Sequence, residues 1–170
     1  MNERQAIETA GRIGAFVARH LLAIVVTVTA ACVLWTVIYL ALLLCTRLAG
    51  GGLGSPASFP IGLLFILVAG TAVSMTLFLP ATALSEWFAR RRGFPIVAQI
   101  PISVAIFALL CFATASTTAA LGFQPTLRSV FVSFGVLFAA NLLPLGIYWW
   151  VVQSGPLLLT LFRRLRSIIR

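Results

Sequence analysis

From Leu21 to Leu44 the chain carries no charged side chain, and three further uncharged apolar stretches follow at about 60–84, 97–121 and 129–152. About 20 apolar residues suffice to cross a hydrocarbon core of about 30 Å as a helix. Each stretch meets that length, and each is too long and too apolar for an ordinary soluble helix. Composition closes the alternatives: 61% of the residues are hydrophobic and 9% charged, against roughly 45–50% and about 25% in soluble domains. Soluble globular, disordered, collagen-like and disulfide-scaffold classes are excluded. The expected fold is an all-α integral membrane protein, a four-transmembrane-helix bundle with an amphipathic interfacial helix at each end.

The breaks between stretches have turn chemistry. Gly50-Gly51-Gly52 and Gly54-Ser55-Pro56 follow the first, and Ser85-Glu86-Trp87 with Arg90-Arg91-Arg92-Gly93 close the second. Gly122 with Gln124-Pro125 ends the third, and Gly155-Pro156 ends the fourth. Residues 1–20 read as an N-terminal interfacial segment, residues 21–152 as the transmembrane domain and residues 156–170 as a basic amphipathic helix. In that last segment Leu157, Leu158, Leu161, Phe162, Leu165, Ile168 and Ile169 recur at helical spacing, opposite Arg163, Arg164, Arg166 and Arg170. The polar N-terminal region carries Glu3 and Glu8, and the apolar stretch after it exceeds a signal peptide's usual 7–15 residues. The first helix is expected to stay uncleaved.

All 12 basic residues are arginine, set against three glutamates. With four spans, Arg47 and Arg128 fall on one side and the other ten on the opposite side. Short arginine-rich loops stay cytoplasmic, so both termini and the loop at Arg90–Arg92 are expected inside a bacterial inner membrane. Trp87 and Tyr148-Trp149-Trp150 fall at the same ends, where amphipathic rings prefer the headgroup zone. Anionic headgroups are the expected partners of Arg90, Arg91, Arg92, Arg163, Arg164 and Arg166, at about 1 kcal/mol for each arginine near the surface. No basic domain is large enough to hold a nucleic-acid duplex.

Catalytic chemistry has little to work with. Ionisable groups inside a bilayer cost roughly 2.5–3.5 kcal/mol each and signal function, yet the centre of every span lacks them. No paired carboxylates, Ser-His-Asp set or two-histidine metal site can be drawn. Cys32, Cys45 and Cys111 form no C-x-x-C pair and read as small hydrophobes. No enzymatic activity, cofactor or metal is expected, and proton antiport around a buried glutamate is excluded.

The spans do contain small residues four apart, a spacing that lets helix backbones approach closely. Ala113 with Thr117, Thr114 with Thr118, Ala115 with Ala119, and Gly135 with Ala139 mark faces for helix packing or a partner. Threonine hydroxyls there are expected to add interhelical hydrogen bonds. Gln99, Asn141 and Pro144 are candidates for a polar cavity, since Asn141 needs a partner in hydrocarbon and Pro144 frees the carbonyl of Ala140. The leading expectation is a non-catalytic subunit or accessory protein of a larger membrane assembly of transport or secretion type, acting through helix contacts with other membrane proteins or itself. The alternatives are a small homo-oligomeric transporter or flippase for a neutral or lipidic substrate, and a membrane immunity or exclusion protein.

Overall fold

The computed structural model describes the backbone of residues 3–50, 57–122 and 126–168, and the side chains within them except those of residues 3, 4, 6–9, 12 and 155–168. The described chain is helical almost throughout. Helix α1 covers Glu3–Leu48, α2 covers Ser58–Val73, a π-helical turn covers Ser74–Phe78, and α3 covers Leu79–Arg92. A 3-10 turn at Ile96–Ala98 leads into α4, Gln99–Leu121, and α5 covers Leu127–Ile168. Among the described residues, four stretches are long and apolar enough to cross a membrane: Ile13–Leu48, Ser58–Arg92, Ile96–Leu121 and Leu127–Ser154. Helix is the form that satisfies each backbone N–H and C=O within its own segment, as hydrocarbon demands.

Local chemistry sets the ends. Thr126 and Ser129 cap α5 reciprocally: the Ser129 amide donates to Thr126 Oγ1 at 3.2 Å and the Thr126 amide to Ser129 Oγ at 3.3 Å. Gly93 stops α3 in a left-handed conformation, φ 65°, and the Phe94 amide turns back onto the Ala89 carbonyl at 3.0 Å. Pro101 sits in the first turn of α4, where its missing N–H costs nothing. The π turn has an equally local cause. Pro80 cannot donate to the Thr76 carbonyl, and the Leu79 amide bonds Ser74 five residues back.

Three helix boundaries differ from the sequence reading. Ser85-Glu86-Trp87 does not end the second stretch, because no proline or glycine lies between Ser85 and Gly93. The end segments are not separate helices either: residues 3–20 are continuous with α1, and α5 runs through Gly155 and Pro156. Residues 3–20 hold no proline, and a single proline removes one hydrogen bond without having to stop a helix. At 1.5 Å per residue, the 46 residues of α1 measure about 69 Å, more than twice a hydrocarbon core.

The chain forms two compact units, Met1–Leu67 with Gly146–Arg170, and Val68–Leu145. In the first, the Trp35 indole lies on Gly62, so closely that a Cβ there would stand 2.5 Å from the ring. Tyr39 packs against Phe59 with ring centroids 4.9 Å apart and the planes tilted by 41°. In the second, α4 buries one face with a period of four, Gln99, Ser103, Phe107, Cys111 and Ala115. A ladder of phenylalanines supplies the apolar contact: Phe78 on Phe107, Phe107 on Phe138, and Phe138 on Phe134, with centroids 5.6–5.7 Å apart. Offset ring pairs of this kind contribute about 0.5–1.5 kcal/mol beyond their buried area.

Candidate functional site

Polar residues in the second unit collect on buried faces. Helix α3 turns Ala81, Thr82, Ser85, Glu86 and Ala89 inward, while Gln99 and Ser103 are buried on α4. Ala81, Ser85 and Ala89, four apart, present backbone rather than bulk. The hydroxyls are satisfied locally: Thr82 donates to the Phe78 carbonyl at 2.8 Å and Ser85 to the Thr82 carbonyl at 2.8 Å. Ser74 Oγ is buried and unbonded among the described residues. Glu86 is 8% exposed, and its carboxylate accepts from Arg90 Nη2 at 2.5 Å, one turn along the same helix. Sequence reading put Glu86 at a helix boundary; its i,i+4 relation to Arg90 and its alignment with Thr82 and Ala89 are the signals for a buried, paired carboxylate.

A second polar pair lies in the first unit. His20 Nδ1 and the Tyr148 hydroxyl are hydrogen-bonded at 2.9 Å, with His20 2% exposed and Tyr148 fully buried. Phe16 caps the imidazole at 4.2 Å between centroids, and the Arg19 guanidinium lies 5.8 Å from the Phe16 ring. These partners are 128 residues apart. The sequence offered one cue: an even number of spans brings residues 20 and 148 to the same side.

The small-residue faces divide. Ala115 is buried, whereas Ala113, Thr114, Thr117, Thr118, Gly135 and Ala139 are exposed. The threonine hydroxyls do not reach across to another helix. Thr114 donates to Leu110, Thr117 to Ala113 and Thr118 to Thr114 and Ala115, all at 2.8–3.0 Å. A hydroxyl one turn from a free carbonyl lone pair closes that short bond first. A Cβ added at Gly135 would meet nothing within 4 Å.

The cavity residues are likewise locally occupied. Asn141 donates its amide to the Leu137 carbonyl at 2.8 Å and is half-buried, as is Pro144, while Gln99 is buried. A hollow of about 540 Å³ follows the free face of α1 past Val25, Thr29, Val33 and Val37, and Thr29 is its one hydroxyl. Among the described residues no group of three or more His, Cys, Asp or Glu side chains could hold a metal ion.

At the end of α3 the arginines are individually placed. Arg90 pairs with Glu86, Arg91 lies 5.3 Å over the Trp87 ring, and Arg92 lies 5.3 Å over the Phe88 ring. All are exposed, at a helix C-terminus whose partial negative charge favours cations. The side chains of Arg163, Arg164 and Arg166 lie outside the described residues. No protein-family model, curated protein or solved structure matches the chain.

Proposed function

We propose that this chain is a multi-pass protein of a bacterial inner membrane, with both termini cytoplasmic, serving as a non-catalytic small subunit or accessory protein of a larger membrane assembly. The observation that carries this reading is the set of small-residue faces that are exposed among the described residues. Ala113, Thr114, Thr117 and Thr118 on α4, and Gly135 and Ala139 on α5, stand exposed with their hydroxyls already satisfied. Small residues give a lipid-facing helix no advantage, whereas they let another helix approach closely. The last candidate span adds support, since only 6% of its most apolar window is buried. The arginine distribution supports the orientation, and anionic headgroups match the basic ends.

Photo-crosslinking tests the reading. A crosslinker at position 118 or 135 is expected to give a discrete protein adduct in native membranes, while one at Phe65, which is 71% exposed, gives lipid adducts alone. Lipid adducts alone at all three positions would count against it. A second reading, a homo-oligomeric carrier of a neutral or lipidic substrate, draws on the buried row of Thr82, Ser85, Gln99 and Ser103. Under it, Gln99→Leu and Asn141→Leu abolish flux and leave expression intact.

A further inference from the structure

The three arginines that close α3 are equal in sequence but not in structure. Arg90 spends its charge on Glu86. Arg91 and Arg92 have no carboxylate partner among the described residues and are held instead over Trp87 and Phe88. The four side chains Trp87, Phe88, Arg91 and Arg92 line one hollow of about 290 Å³. A guanidinium that sits over an aromatic ring without a carboxylate partner still carries N–H donors suited to the oxygens of a phosphate in a two-point hydrogen bond. Gly93 then reverses the chain, and the residues that follow are exposed and apolar: Phe94 44%, Ile96 61% and Val97 73%. Two uncompensated cations on aromatic supports, next to bare apolar side chains, match an amphiphile with an anionic head.

We propose that this hollow is a discrete binding site for the headgroup of an anionic phospholipid, with Arg91 and Arg92 on the phosphate and Trp87, Phe94 and Ile96 against the glycerol and upper acyl chains. The site rests on the membrane-spanning reading above and adds to it a bound lipid of defined position. It differs from diffuse attraction of a basic surface, which any arginine at the interface serves equally.

Alkaline carbonate extraction of native membranes comes first. Release of the protein into the wash overturns the membrane reading itself. With that settled, the protein purified in mild detergent is titrated with phosphatidylglycerol or phosphatidylcholine and followed by native mass spectrometry. One phosphatidylglycerol is expected to remain bound in preference to phosphatidylcholine. Arg91→Gln and Arg92→Gln should each weaken it about fivefold, and the double variant about 25-fold. Trp87→Ala should weaken it with both charges intact. Arg47→Gln and Arg128→Gln, exposed arginines at other helix ends, should leave it unchanged, and unaltered gel-filtration profiles show that the variants fold. Equal losses across all the arginine variants, no headgroup preference, or equal binding of inorganic phosphate would overturn the proposal.

Discussion

Gly62→Ala tests the close contact between Trp35 and Gly62. An alanine Cβ at this position would lie 2.5 Å from Trp35 Cζ2, 2.7 Å from Cε2 and 2.8 Å from Nε1. Those atoms belong to a rigid ring, so the indole must rotate or the helices must part. Overpacking of this kind costs typically 1–3 kcal/mol. Replacing a helical glycine by alanine recovers about 0.5–1 kcal/mol of backbone entropy, leaving a net loss of up to about 2.5 kcal/mol. Removing the ring should reverse the sign. In a Trp35→Leu background the steric term disappears, and Gly62→Ala should be neutral or stabilising by up to about 1 kcal/mol. The assay is reversible unfolding in mixed micelles for the four members of the cycle, with helicity as the signal. Equal destabilisation by Gly62→Ala in both backgrounds would refute the claim that Trp35 seats on this glycine.

Further outcomes follow from other contacts. Tyr148→Phe keeps the ring and deletes the hydroxyl that meets His20, and should lower stability by about 1 kcal/mol in the same micelle assay; no change would deny that the bond contributes. Arg90→Gln removes the Arg90–Glu86 ion pair, whose arginine is 73% exposed, and should lower stability by no more than about 1 kcal/mol in the micelle assay; a larger loss would deny that the pair is a solvent-screened one. Ala115→Leu should cost about 1–3 kcal/mol within the isolated chain, whereas Thr118→Leu should leave the chain's stability unchanged and release it from its assembly. Reporter fusions after Arg92 and after Arg170 should both read cytoplasmic, and a periplasmic signal at either contradicts the assigned orientation.

The four long apolar helices were legible because charge-free stretches of about 20 residues or more reveal directly which segments are long and apolar enough to cross a membrane. Their ends were less so. Ser85-Glu86-Trp87 looks like a boundary by polarity, but helix formation follows backbone chemistry, and the chain turns only where Gly93 permits a left-handed φ. The small-residue faces were visible as i,i+4 patterns, yet the pattern is the same on every side of α4. The phenylalanine ladder is what selects the face of Phe107, Cys111 and Ala115 for burial and leaves Thr114 and Thr118 outside. His20 and Tyr148 meet across 128 residues, a pairing no local signal encodes. The division of labour among Arg90, Arg91 and Arg92 depends on which neighbour stands one turn back, and that is readable once the helix is known to continue through them.

The central claim is that this chain works in complex with other membrane proteins. Extraction of the tagged protein from its native host in mild detergent, sizing on a native gel and identification of its companions by mass spectrometry test it most directly. The account predicts a stoichiometric larger partner that is lost with Thr118→Leu and retained with Phe65→Leu. A lone homo-oligomer, unchanged by Thr118→Leu, would contradict it and point to transport through the polar residues of α3 and α4.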